Sequence, residues 1–328
     1  GSSLMDMLSI AAQNLTSAPV LAFALGLLAT AIRSDLRLPE PIYQAISIYL
    51  LLGIGIKGGV ALSEVSIAEV GLPILGTLIL GVTVPALAFA FLQLLKRLSN
   101  VDRGAIAAHY GSTSLVTFTA AIIFYESVAV SVEGYLTTLL AILEIPGIIV
   151  GLLLATRGLK RSVPWSESIR EILAGRSIFL LAGGLAIGFL TGTTGFARIE
   201  EFFVVLFPGV LTLFLLELGI VAGRRLSDLK KSGFGLVAFA LLFPMVSGFL
   251  GVVVGQLTGL SVGGAATLGV LSASASYIAA PAAVRLALPE ASPGIYLTAS
   301  LGITFPLNLT LGIPIMLQIS NYLESVGL

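Results

Sequence analysis

The sequence predicts an all-α membrane protein of ten transmembrane helices, built as two inverted five-helix repeats whose fourth and ninth helices are discontinuous. Three observations predict it. The 328-residue chain is 57% apolar and only 10% charged, where soluble domains carry about 25% charged residues. Its second half repeats its first at an offset near 160 residues, and 15 of its 17 Lys and Arg gather in alternate connections between apolar segments.

The repeat is legible residue by residue. Gly55-Ile56 followed by Gly59, Leu62, Ser63 and Glu64 returns as Gly219-Ile220 followed by Gly223, Leu226, Ser227 and Asp228, an offset of 164. Pro85 answers to Pro244, Gly104-Ala105 to Gly264-Ala265, Ser112-Thr113-Ser114 to Ser272-Ala273-Ser274, Tyr135-Leu136-Thr137 to Tyr296-Leu297-Thr298, and Pro146 to Pro306. An odd number of spans per copy turns the second copy upside down. Inverted repeats of this kind place a site where discontinuous helices meet near the bilayer midplane.

Apolar segments on the scale of the ~30 Å hydrocarbon core run at 18–33, 41–62, 70–95, 102–125, 134–156, 174–192, 202–224, 234–257, 262–285 and 294–321, divided by charged or Pro/Gly-rich breaks. They lack the alternation of barrel strands, so they read as helices. The organisation is therefore a first repeat over 1–156, a linker over 157–173 and a second repeat over 174–328.

Taken in chain order, the second segment carries Lys57, expected to reach toward the outer surface and Glu64. The fourth carries His109, read as a packed neutral imidazole, and then Gly111, Ser112, Thr113, Ser114 and Thr117. Gly111 weakens its helix. The fifth holds Glu144 before Ile145-Pro146. The linker, with Arg157, Lys160, Arg161, Pro164, Trp165 and Glu167, is either a docking point for a cytoplasmic regulatory protein or a solvated connection. The seventh segment holds Glu217. The ninth carries Ser272, Ser274, Ser276 and Tyr277, with Pro281 removing a donor from its helix. The tenth supplies Thr304, Asn308 and Thr310 around Pro306.

Small hydroxyl residues thus crowd the same place in both copies. Two half-helix N-termini facing each other offer unpaired N–H groups and partial positive charge to a small inorganic anion, and the hydroxyls complete the shell. The alternative is close helix packing through small side chains. Glu144 and Glu217 are costly inside a bilayer, about 2.5–3.5 kcal/mol on insertion scales, and are candidates for a coupling cation or proton, with Thr304 and Asn308 as further oxygens.

Connections holding Arg33, Arg37, Lys96, Arg97, Arg103, Arg157, Lys160, Arg161, Arg170, Arg176, Arg224, Arg225, Lys230, Lys231 and Arg285 lie on one side, and only Lys57 and Arg198 point to the other. The positive-inside rule puts the basic side in the cytoplasm and both termini outside a bacterial inner membrane. A net charge of zero argues against nucleic acid as a partner. There are no cysteines and one histidine, and Asp6, Asp35, Asp102 and Asp228 lie at segment ends, so no nucleophile–base pair, aspartate dyad or zinc site marks an enzyme.

At these residues the chain resembles the sodium-dependent bicarbonate transporters of cyanobacteria and their broader bacterial relatives. The resemblance rests on Leu38-Pro39-Glu40 leading to Gly53-Ile54-Gly55 and Gly58-Gly59, Gly111 with Ser114 and Thr117, Ile145-Pro146, Ala273-Ser274 with Ser276, Ile278 and Pro281, Arg285, and Ser300 through Pro306 with Pro314. It implies a homotrimer in which a mobile core moves against a fixed scaffold. The anion would lie between Gly111–Thr117 and Ser272–Ser276, sodium would be the coupling ion, and no other cofactor is expected. The chain departs from the family pattern at Tyr277 and Glu144, where an Asp is expected, and lacks the acidic insertion some members carry between the repeats. Sodium-coupled bicarbonate uptake is the leading expectation. A symporter of another small anion, or a cation/proton antiporter or channel using Glu144 and Glu217, is the alternative.

Overall fold

The computed structural model describes residues 2–157, 159–226 and 232–328, and among them every regular element is a helix. Ser227, Asp228, Lys230 and Lys231, used above for the repeat and the charge bias, lie outside the described residues.

Helix α1 (Ser2–Leu15) meets α2 (Ala18–Ala31) at a 61° bend. The sequence reading left α1 out, because Asp6, Gln13 and Asn14 interrupt its apolar run. Then come α3 (Glu40–Ser63), α4 (Ile67–Leu92), the pair α5 (Asn100–Gly111) and α6 (Leu115–Ser127), and α7 (Leu136–Thr156). The linker folds into α8 (Trp165–Ala174). The second half runs α9 (Arg176–Phe196), α10 (Phe207–Leu226), α11 (Phe234–Leu257), α12 (Val262–Ala273), α13 (Ala279–Ala287) and α14 (Pro293–Ser325).

Among the described residues eight helices are long and apolar enough to cross a membrane, or nine if the bent α1–α2 pair is one span. The chain is a multi-pass membrane protein. The eight cover eight of the ten expected segments, α5 and α6 together forming one of them. Two fall short for physical reasons. Fourteen residues of α2 reach about 21 Å at 1.5 Å per residue, and 262–285 is divided into α12 and α13 by the non-helical stretch 274–278.

One packing scheme occurs twice. Helix α2 packs on α10, and α9 packs on α3. A Cβ on Gly26 would sit 2.2 Å from the Leu216 carbonyl oxygen, and one on Gly184 would sit 2.8 Å from the Gly55 Cα. Only glycine permits such approach. Beside these pairs, α4 packs on α5 and α7, while α11 packs on α12 and α14. Ser99 and Ser261 cap α5 and α12, accepting from the N–H groups of Asp102 and Gly264, both at 3.1 Å.

Helix α14 departs from ideal geometry where its prolines require it. Pro306 and Pro314 bring no N–H, and the helix widens into π-segments at Thr298–Thr304 and Asn308–Gly312. The Thr310 carbonyl, left without its i+4 donor by Pro314, accepts instead from Asn14 Nδ2 at 2.7 Å, which also serves the Leu309 carbonyl at 2.9 Å. The extra helix α1 is thereby tied to the last one.

Candidate functional site

Two helix breaks face each other inside the protein. Helix α5 ends at Gly111, a position with no room for a side chain: a Cβ would lie 2.5 Å from Pro85 Cβ and 3.0 Å from the Gly147 Cα. Ser112, Thr113 and Ser114 follow in extended or irregular backbone, and Ser114 caps α6 by accepting from the Thr117 N–H at 3.2 Å. In the second half, Ser276 accepts from the Ala280 N–H at 3.0 Å and starts α13. Pro281 falls in the first turn of α13, where its missing donor costs nothing, so the break lies upstream of the proline instead of at it.

The breaks are stitched to each other, first half of the chain to second. Ser114 N–H donates to Ser274 Oγ at 3.0 Å, and Ser276 N–H donates to the His109 carbonyl at 2.8 Å. All the predicted hydroxyl residues other than Tyr277 are at most 4% exposed.

Their hydrogen bonds show what remains for a ligand. Ser114 Oγ accepts from both Thr117 N–H and Thr117 Oγ1, which leaves its own proton to give. Thr113 Oγ1 is buried without a partner, and so is the Tyr277 hydroxyl, which lies within electrostatic reach of Ser114. Ser274 and Ser272 donate inside their own helix, to the Leu271 and Leu268 carbonyls at 2.8 and 2.9 Å. Ser276 Oγ, which accepts from the Ala280 N–H, likewise keeps its own proton. The uncommitted donors are therefore Thr113, Ser114, Ser276 and Tyr277, the chemistry an anion needs.

Uncommitted acceptors flank these donors. Ser112 Oγ donates to the Glu144 backbone carbonyl at 3.0 Å, Ser177 Oγ donates to Glu144 Oε1 at 2.9 Å, and Glu144 Oε2 is buried without a partner. On the other side, Asn308 Nδ2 donates to the Ala273 carbonyl at 2.9 Å and its Oδ1 is left unpaired. His109 donates from Nδ1 to the Ala105 carbonyl at 2.7 Å and stacks on Tyr296 with ring centroids 4.3 Å apart. That leaves its buried Nε2 a bare acceptor in the neutral ring.

The four coupling candidates are not gathered into one shell. Glu144 and Asn308 border the breaks as described. Thr304 is already satisfied, accepting from the Tyr110 hydroxyl and donating to the Ala240 carbonyl at 2.7 Å. Glu217 lies elsewhere: its Oε2 accepts from the Leu38 N–H at 3.0 Å, anchoring the connection between α2 and α3. Lys57 likewise does not turn to Glu64, which accepts from Thr193 Oγ1; its ammonium sits 3.9 Å from the centroid of the Phe207 ring. Ser177 was not anticipated, because nothing in an isolated serine after Arg176 signals that it will meet Glu144.

Residues 18–321 match the family model described as the Na+-dependent bicarbonate transporter superfamily. No curated protein matches the chain.

Proposed function

The chain belongs to the Na+-dependent bicarbonate transporter superfamily, and from that premise we propose that it is a secondary active transporter taking up bicarbonate, or another small monovalent anion, with sodium. The observation that carries this reading is the meeting of two helix breaks through Ser114–Ser274 and Ser276–His109, with four hydroxyl donors left uncommitted beside them. Donors of this kind, with the first-turn N–H groups of α6 and α13, suit an oxyanion. Glu144 Oε2 and Asn308 Oδ1 supply oxygens for the cation. The ten-segment inverted repeat, both termini outside a bacterial inner membrane, a homotrimer and a regulatory partner on the linker belong to the same proposal.

Alternating access follows as a core carrying α4–α7 and α11–α14 sliding against a scaffold of α2, α3, α9 and α10. Within the scaffold, α2 with α10 and α3 with α9 meet backbone to backbone at glycines, so each pair moves as one body. The Ser177–Glu144 hydrogen bond crosses the interface between core and scaffold. Neutralising Glu144 with a cation weakens it, which couples cation occupancy to release of the core.

A second reading, a proton-coupled carrier, is favoured by the same orphaned Oε2, since a proton neutralises a buried carboxyl without any other ligand. Flux in proteoliposomes separates the two. Bicarbonate uptake driven by an inward sodium gradient supports the first, and uptake that follows only a proton gradient supports the second.

A further inference from the structure

A cavity of about 280 Å³ lies away from the breaks, between α3, α6, the start of α7 and the start of α10. Its polar lining is Lys57, Thr119, Glu126, Glu133 and Thr137 among apolar side chains. Lys57 is half-buried, and the only ion pair among the described residues is Arg161–Glu290, so no carboxylate stands within pairing distance of its ammonium. Glu133 is spent, one oxygen accepting from the Ser261 N–H at 3.0 Å and the other from the Ser261 hydroxyl. Glu126 is exposed at the rim, near enough to act on Lys57 through space but outside pairing distance of its ammonium. What touches the ammonium is the Phe207 ring face, 3.9 Å from its centroid. A ring face offsets part of the cost of taking an ammonium out of water, and the rest falls to whatever fills the cavity.

We propose that this cavity is a second anion site, in which Lys57 holds a small monovalent oxyanion before it passes to the helix breaks. The volume is far above the ~10–15 Å³ that one water requires, so it admits an anion with part of its hydration shell. The cavity and the first break share helix α6, Thr119 lining the one and Thr117 bordering the other on a different face. Lys57 sits on the side away from the basic connections, so in the proposed orientation the anion enters here from outside. The site's role as a way-station rests on the proposed transport function; its affinity for anions does not.

The chain has no cysteine, so Ile122→Cys on the cavity wall gives one reporter thiol in the full-length protein in detergent. Its modification rates with methanethiosulfonate reagents of opposite charge and similar size are compared, with and without sodium bicarbonate or sodium nitrate. The expected result is an anionic reagent favoured about tenfold over the cationic one, as a nearby unpaired charge would impose. Added anion should slow it, both effects should vanish in Lys57→Gln, and both should persist in Lys57→Arg. Equal rates for the two reagents with Lys57 intact, or anion protection that survives Lys57→Gln, overturn the site. If Lys57→Gln does not fold, the comparison of reagents and of anion protection with Lys57 intact still decides. Lys57-dependent protection in a protein that carries no bicarbonate in proteoliposomes keeps the site and sinks the transport reading; bicarbonate uptake whose apparent KM is unmoved by Lys57→Gln, without protection, does the reverse.

Discussion

Ser114 and Ser274 stand 160 residues apart, and the N–H of the first donates to the hydroxyl of the second at 3.0 Å. The contact joins the two points at which helices are interrupted. If that junction binds the anion, filling it should abolish uptake. Ser114→Leu or Ser274→Leu puts apolar bulk where the anion would sit and overpacks the site, at about 1–3 kcal/mol of folding stability. Radiolabelled bicarbonate uptake by reconstituted protein, with the elution profile showing retained folding, checks it; uptake at unchanged KM places the site elsewhere.

The junction was legible because a polar cluster in apolar sequence is conspicuous, and because it occurs twice. The placement of single polar residues was not. Glu217 reads as mid-segment by position, yet its partner is the backbone of Leu38, and only the path of the connection before α3 reveals that. Lys57 and Glu64 are seven residues apart on one helix and its cap, close enough to suggest a pair, but the ammonium turns to a ring on α10. The polar Asn14 that interrupts the apolar run of α1 serves a carbonyl that Pro314 frees about 300 residues away, a need no local pattern encodes. Gly111 looked like a weak point in a helix; its reason is contact with Pro85 and Gly147.

Adjacent glycines on α9 should respond in opposite ways. A Cβ on Gly184 would lie 2.8 Å from the Gly55 Cα, whereas one on Gly183 meets nothing within 4 Å. Gly184→Ala must part α9 from α3 and is expected to lower the thermal unfolding temperature in detergent by several degrees, at about 1–3 kcal/mol. Gly183→Ala should be neutral or stabilising by up to about 1 kcal/mol, since alanine favours a helix. Equal effects at both positions would show that the close pairing does not hold the scaffold.

The linker is strapped to the second half. Arg161 donates to Glu290 from Nε at 3.0 Å and from a terminal nitrogen at 2.6 Å, and to the Ala287 carbonyl at 2.9 Å. The hydrogen bond from Arg161 holds the Glu290 carboxyl below its usual range. A lowered carboxyl contributes stability above its unfolded pKa and loses it as pH falls through the folded value, so the strap should be intact at neutral pH and open in acid. Hydrogen exchange across Trp165–Ala174, corrected for intrinsic pH dependence, should rise in Glu290→Ala at pH 7 to the level the unsubstituted protein reaches in acid. The pair is exposed, so global stability should barely move.

Orientation can be read with two single cysteines. Ser131 and Ser166 are both exposed, in the connection before α7 and at the start of α8. A charge distribution that puts the linker in the cytoplasm requires Ser166→Cys to react with impermeant thiol reagents only from inside and Ser131→Cys only from outside. The reverse pattern, or both from one side, would undo the proposed span count along with the orientation.

Glu144 is where coupling is most directly tested. One carboxylate oxygen accepts from Ser177 across the line between the proposed core and scaffold, and the other is buried without a partner, a costly arrangement that a bound cation relieves. Anion and cation should then bind with mutual reinforcement, each raising the other's affinity by the same factor, since linkage is reciprocal. Glu144→Gln keeps the shape and can still accept from Ser177, but it removes the charge. The expected outcome is loss of sodium-driven accumulation, with any remaining bicarbonate flux running only to equilibrium. Ser177→Ala removes the cross-interface bond and keeps the charge, so it should alter the rate of exchange while sodium dependence persists. Full accumulation in Glu144→Gln with loss in Glu217→Gln would move the coupling role to α10. If neither substitution matters, coupling rests on oxygens such as Asn308 Oδ1, and Asn308→Ala becomes the variant that should lose sodium dependence.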